Sequence, residues 1–223
     1  VLNDGRLVVA APRMNGTLLH LFDPSGREVM GFGEVRRFDV GNEAENLFLN
    51  RGVVLVDGSG RISYVFRYAP RPTVRVFTAR GQQVREFPIR GAAVALQVAA
   101  ARRFLREKEP EVVGGMTIIT AASVDPETGH LWLGMNGSSE TGVIYEYTPE
   151  GEKVGEYALV LRDKGSRRIV TGVQALMVRR PFLYVFTGSR AYRFDVREGR
   201  TGSLAVVGGG VGVDENRCVV SEN

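Results

Sequence analysis

Short runs of alternating apolar and polar residues, each four to eight long and closed by Gly, Pro, Asp or Asn, dominate the chain. The stretch "LHLFDPSGREVMGF" (19–32) reads as two strands around a turn, and "VRVFTARGQQVREF" (74–87) and "IYEYTPEGEKVGEY" (144–157) repeat it without gaps. The three copies share an aromatic (Phe22, Phe77, Tyr147), a glycine (Gly26, Gly81, Gly151), a valine (Val29, Val84, Val154) and a closing aromatic (Phe32, Phe87, Tyr157). Ahead of each copy stands another strand-like run: "DGRLVVAA", "VDGSGRISYVF" and "VDPETGHLWLG". A fourth, "RRPFLYVF", precedes a degenerate copy, "RAYRFDVREG", and a fifth start, "VDENRCVVS", ends the chain. The segments "LFLNRGVVLV", "GMTIITAASV" and "VTGVQALMV" supply one more strand each. The expected module is therefore four short antiparallel strands. Its aromatics and valine are expected to pack against neighbouring modules while its glycine makes the turn.

The connections repeat as well. "MNGT" (14–17) and "MNGS" (135–138) hold the same place in two modules, and Asn-Gly predicts a two-residue type I′ hairpin, since both central residues need positive φ. Turn chemistry alone accounts for them, although Asn15 and Asn136 also spell glycosylation sequons. The leading aromatic recurs at Phe22, Phe77, Tyr147 and Phe194, spacings near the ~40–50 residues of a propeller blade with insertions. A four-stranded sheet cannot bury both faces alone, so such modules stack around an axis as a β-propeller. The fold class expected is all-β: one domain over 1–223, with about four visible blades, a fragment and one insertion.

On these motifs the chain resembles the six-bladed β-propellers of the NHL and TolB-like superfamily. "VDPETGHLWLG…GVIYEYTPEGEKVGEY" and "NRGVVLVDGSGRISYVFRYAP…VRVFTARGQQV" carry the resemblance. It implies a bacterial six-bladed propeller; with about four modules and a fragment visible, either blades are missing from this sequence or the count departs from the family's. The motifs are structural, so the resemblance names no activity.

One segment breaks the pattern. "GAAVALQVAAARRFLREKEPEVVGG", within an insertion at 91–113, predicts a helix over 92–109 with Val94, Val98, Ala101 and Leu105 on one stripe. Arg102, Arg103 and Arg106 fall near its end, where cations suit the helix dipole, and Arg103 can pair with Glu107 at i, i+4. The segment reads either as an inert insertion or as an arm presenting arginines to a partner.

Composition narrows the classes. The 223 residues are 43% hydrophobic and 24% charged, with mean hydropathy −0.07, as in a folded domain, and no apolar run approaches the ~18 residues of a membrane span. The one cysteine, Cys218, excludes an intramolecular disulfide and a cysteine-based zinc site. Net charge is +4, unevenly spread: residues 162–200 carry ten basic side chains against Asp163, Asp195 and Glu198. Such asymmetry marks either a solvated arginine surface or an anionic partner. The partner-binding candidates are Arg102, Arg103 and Arg106 on the helix, with Arg167, Arg168, Arg179 and Arg180 around the start of the fourth module.

Catalytic constellations are missing. Only His20 and His130 exist, both in or beside strands, and neither a G-x-S-x-G elbow nor a Walker or EF-hand sequence occurs. "VVGGGVGVD" (206–214) lacks the third glycine of a dinucleotide loop and reads as a turn. Asp57, Asp125 and Asp214 recur in corresponding turns as "VDG", "VDP" and "VDE", which is turn capping rather than metal ligation. Asn50 and Asn136 remain loose channel candidates. The expectation is a non-catalytic scaffold or recognition module, an accessory of a larger bacterial assembly, with a protein partner, no cofactor and no nucleic acid. The alternative implied by the fold is a calcium-dependent, lactonase-type hydrolase with a central-channel site. The chain begins at Val1 inside a strand-like segment, which reads as a processed protein or a partial sequence with room upstream for a signal peptide or lipid anchor. Together with the resemblance this favours an exported or periplasmic, or a membrane-peripheral, location and leaves a cytoplasmic one open.

Overall fold

The computed structural model describes residues 1–109, 111–136, 142–163, 166–169, 172–187, 190–196, 202–205 and 211–212. Of residues 136, 160–163, 166–169, 190, 202–205 and 211–212 it describes the backbone alone. The described residues form an all-β, propeller-like fold of four sheets with two helices, and the chain divides into two compact units, Val1–Ile119 and Thr120–Asn223.

In the first unit, β1 (Leu7–Ala10), β2 (Thr17–Phe22) and β3 (Glu28–Glu34) make a three-stranded antiparallel meander. Helix α1 (Glu43–Leu49) leads into a four-stranded one, β4 (Gly52–Val56), β5 (Ile62–Phe66), β6 (Thr73–Phe77) and β7 (Gln83–Pro88), followed by helix α2 (Ala92–Glu107). Leu18, Leu21 and Phe32 of the first sheet share one core with Ile62, Tyr64, Phe66 and Phe77 of the second, and the Phe32 and Phe77 rings meet edge to face at 5.3 Å.

In the second unit, β8 (Ala121–Val124), β9 (Leu131–Asn136), β10 (Gly142–Tyr147), β11 (Lys153–Asp163) and β12 (Ser166–Ile169) run antiparallel. The last sheet joins β13 (Ala175–Arg179), β14 (Phe182–Thr187), β15 (Arg190–Asp195) and β17 (Val211–Gly212). Among the described residues one strand departs from the antiparallel pattern, β16 (Gly202–Ala205), which pairs parallel with β11. Trp132, Ile144, Tyr157 and Leu159 share a core with Leu183, Val185, Tyr192 and Phe194.

The repeated phrase is a repeated geometry. Six turns close alike: the N–H of Leu2, Arg13, Asp23, Asp57, Thr78 or Thr148 donates to the carbonyl four residues on, and the glycine between donates back. Every one of these glycines has positive φ, from +78° to +91°. The turn opener's side chain closes the loop further. Asp23 Oδ1 accepts from Ser25 N, Ser25 Oγ and Arg27 N, and Asp57 Oδ1 from Ser59 N, Ser59 Oγ and Arg61 N. Asp57 is therefore a turn cap, as its sequence context indicates.

Three expectations are corrected. The repeated valine is not a core residue: Val29, Val84 and Val154 are 53%, 53% and 37% exposed. In all three hairpins the register slips at the shared aromatic, where Phe22, Phe77 and Tyr147 face Glu28, Gln83 and Lys153. The valine is the extra residue of a β-bulge, turned outward. The Asn-Gly turn at 14–17 is not type I′. Arg13 N–H donates to Thr17 O and only Gly16, at +91°, closes it, which makes a three-residue loop. Its counterpart at Gly137 and Ser138 lies outside the described residues, as do Cys218, Asp214 and most of the stretch 206–214. Finally, residues 47–49 of the expected strand "LFLNRGVVLV" belong to α1, because Asn42 Oδ1 accepts from Glu45 N at 2.8 Å and nucleates a turn first. The strand from this segment still forms, as β4, while the first sheet has three strands rather than the four expected of each module.

A paired substitution tests the turn geometry. At Gly26 (φ +84°) an added Cβ meets nothing within 4 Å, whereas at Gly81 (φ +78°) it lies 2.8 Å from Phe32 Cγ. Gly26→Ala is expected to cost about 1 kcal/mol from backbone strain alone. Gly81→Ala is expected to cost about 1–3 kcal/mol more, since the Phe32–Phe77 contact must shift. Urea unfolding of the two variants checks the order.

Candidate functional site

The first unit contains a cleft of about 740 Å³, lined by three segments: residues 36–40, residues 70–71, and the last turns of α2 with Arg102, Leu105 and Arg106. Five of the lining residues are arginines and one, Asp39, is acidic.

The first wall is held rigid by side chains acting as a strand partner. Asn50, fully buried at the end of α1, accepts from Arg36 N–H and donates through Nδ2 to Arg36 O and Asn46 O, each at 2.8 Å. Asn46 Oδ1 in turn accepts from Phe38 N–H at 2.8 Å. Tyr64, whose phenol burial pushes well above its ordinary pKa, donates to the Asn50 carbonyl at 2.5 Å. Asn50 is fully buried, with its Oδ1 and both Nδ2 hydrogens engaged on the chain itself, so its role is to fix the chain at Arg36.

The Arg36 guanidinium is spent on structure. It pairs with Glu86, donates to Thr73 Oγ1 (2.9 Å) and Arg71 O (3.3 Å), and lies 4.5 Å over the Phe66 ring. Burial pulls its pKa below the ordinary arginine value and Glu86 pulls it back up. Arg75 shares Glu86, through Nε at 2.7 Å. Together these fix the second wall, at Pro70 and Arg71.

Helix α2 forms the third. Val94 and Ala101 are buried and Val98 and Leu105 half-buried, so the expected stripe is the inward one. Its end is tied to α1: Lys108 Nζ lies 2.8 Å from Glu45 Oε1, close enough for an ion pair though off the hydrogen-bonding direction, and donates to Val112 O. Arg102 Nη2 reaches Pro70 O at 3.4 Å, linking helix to loop.

The sequence candidates divide accordingly. Arg102 and Arg106 line the cleft. Arg103 does not; it is exposed and paired to Glu107 at 2.9 Å. Arg179 is exposed at the end of β13. Arg167 and Arg168 lie on β12, where the backbone alone is described. Arg180 is enclosed: its Nε donates to Asp125 Oδ2 (2.6 Å) and its Nη2 to Glu146 Oε1 (2.9 Å), both carboxylates being nearly buried. Arg37 and Arg71 were not legible as site residues. They are distant in sequence, and only the clamp at Asn50 and the Arg36 contacts bring them beside the helix.

The histidines are partners of carboxylates. His20 Nδ1 lies 2.7 Å from Glu28, and His130 Nδ1 lies 2.7 Å from Glu146, which also accepts from Tyr157 Oη at 2.9 Å. Asp125 caps its turn by accepting from Glu127 N and Thr128 Oγ1. Among the described residues no three His, Cys, Asp or Glu side chains are grouped to hold a metal ion, and the Asn136 side chain lies outside them.

No family model matches the sequence, and no curated protein does either. Solved structures match over most of the chain, and those it resembles are β-propeller-like proteins. A functionally unknown protein from Desulfotomaculum acetoxidans aligns over 96% of this chain and 55% of its own, at 9% identity and a TM-score of 0.52. A protein from Lactobacillus plantarum aligns over 94% and 53%, at 7% identity and 0.51. PorZ, an essential bacterial surface component of the type-IX secretion system of Porphyromonas gingivalis, aligns over 86% and 25%, at 16% identity. Its TM-score of 0.43 is too loose to bear on function. The chain thus spans little more than half the length of the first two, and the likeness is one of fold: the chain is similar to β-propeller-like proteins.

Proposed function

We propose that this chain is a non-catalytic recognition module whose arginine-lined cleft takes a protein partner with an anionic surface. Both units belong, in this reading, to one propeller domain of the six-bladed NHL and TolB-like superfamily. It serves as an accessory subunit of a larger bacterial assembly, exported or membrane-peripheral. The single observation that carries it is the convergence of Arg37, Arg71, Arg102 and Arg106 on a cleft with one carboxylate. Guanidinium groups pair with carboxylates in a planar fork and are favoured at interfaces. The strands and turns around the cleft spend their polar groups on one another, as a scaffold does. Among the described residues no helix is long and apolar enough to cross a membrane.

The test is charge reversal at Arg102, Arg103 and Arg106. The variant is expected to stay folded at a cost of about 1–2 kcal/mol, because the three residues are exposed and give up only the Arg103–Glu107 pair, the Arg102 contact to Pro70 O and a favourable place at the helix end. Partner recovery in affinity purification is expected to fall several-fold, and wild-type recovery to fall as salt rises. Unchanged recovery, or chelator-sensitive hydrolysis of lactones by the purified protein, would overturn the reading.

A further inference from the structure

We infer that the cleft's occupant is an extended acidic peptide segment whose carboxylates flank an apolar side chain, an inference that rests on the recognition reading above. The charges are available. Arg37, Arg71 and Arg106 are exposed and make no ion pair among the described residues, and Arg102 makes the one long contact to Pro70 O. They sit on three separate walls, so they suit several single charges spaced along a chain rather than one dense anion. Between them lie half-buried Phe38, Val40 and Leu105, an apolar floor that a wholly charged ligand would leave unpaired.

The backbone argues against a phosphate cradle. Phosphate sites use free N–H groups and helix N-termini. Here the N–H groups of Arg36, Phe38 and Val40 are already donated to Asn50, Asn46 and the Phe38 carbonyl. The helix offers its C-terminal turns, whose unpaired backbone groups are carbonyls and not the N–H donors that a phosphate cradle uses. Asp39 on the rim adds repulsion toward a dianion and a partner for a backbone N–H of a bound strand. The volume falls within the ~300–1,000 Å³ typical of ligand clefts, room for a few residues and not for a folded surface.

Fluorescence anisotropy on the full chain tests this, with a labelled peptide of glutamates flanking one leucine. Binding is expected to weaken at least tenfold for the double variant Arg71→Glu, Arg106→Glu, with melting unchanged. A serine in place of the leucine is expected to weaken it several-fold, and lysines in place of the glutamates to abolish it. Inorganic phosphate at matched ionic strength is expected not to compete. Equal binding by the double variant, indifference to the leucine, or displacement by phosphate or single-stranded DNA at low concentration would overturn the inference. If no peptide binds while charge reversal still costs partner recovery, the acidic segment is wrong and the recognition reading stands.

Discussion

Asn50→Ala is expected to destabilise the first unit by about 3 kcal/mol and to weaken anion binding, although Asn50 does not line the cleft. The side chain is fully buried and its removal strips three hydrogen bonds. It leaves the Arg36 N–H and C=O in part-buried surroundings without partners, each at about 1–3 kcal/mol before relaxation. A merely local cavity would cost stability and leave the cleft alone. Here the lost clamp frees the wall carrying Arg37 and Phe38, so hydrogen exchange is expected to accelerate at 36–40 more than in the β5 core. Urea unfolding gives the first number and exchange the second. An unchanged exchange pattern at 36–40 would separate Asn50 from the site.

Arg180→Met is expected to cost the second unit about 3–5 kcal/mol near neutral pH, because Asp125 and Glu146 would then be buried charges without their shared cation. The pH dependence has a definite sign. Burial pushes the Asp125 carboxyl up, but hydrogen bonds from Arg180, Glu127 N–H and Thr128 outweigh it and hold the pKa below 3.8. A depressed carboxyl contributes stability that is complete above the unfolded value of ~3.9 and is lost as pH falls through the folded value. The variant removes Arg180's share of that depression and leaves the Glu127 N–H and Thr128 hydrogen bonds, so its penalty is largest at neutral pH and shrinks as pH falls below about 4. Denaturant midpoints at a series of pH values from neutral to acid check this; a pH-independent penalty would mean that Arg180 matters only as packing.

Legibility followed the range of the interactions. The hairpins were readable because an aromatic, a glycine and a turn-opening Asp or Thr act within a few residues, and the helix because Val94, Val98, Ala101 and Leu105 keep one stripe. Val29, Val84 and Val154 misled because apolar character in a strand reads as burial. A bulge turns the same residue outward without changing composition. Helix α1 was hidden by the apolar run after it, since its cap at Asn42 outranked strand propensity in residues 47–49. Half of the cleft was visible, as a cluster of arginines contiguous on one helix. Arg37 and Arg71 were not, because what places them is a carboxamide at Asn50 and a shared carboxylate at Glu86. The same logic removed Arg180 from the surface: its carboxylate partners are distant in sequence, and nothing local announces them.

If the chain works as proposed, the arginine cleft, and not another face of the chain, meets the anionic partner. Amide hydrogen exchange of the full chain, with and without a saturating acidic peptide, tests it most directly. Slowed exchange is expected at 36–40, around Arg71 and in the last turns of α2 alone, with the turns at Gly26 and Gly151 unaffected. Protection that spares all three cleft segments, or falls mainly on the second unit, would contradict it.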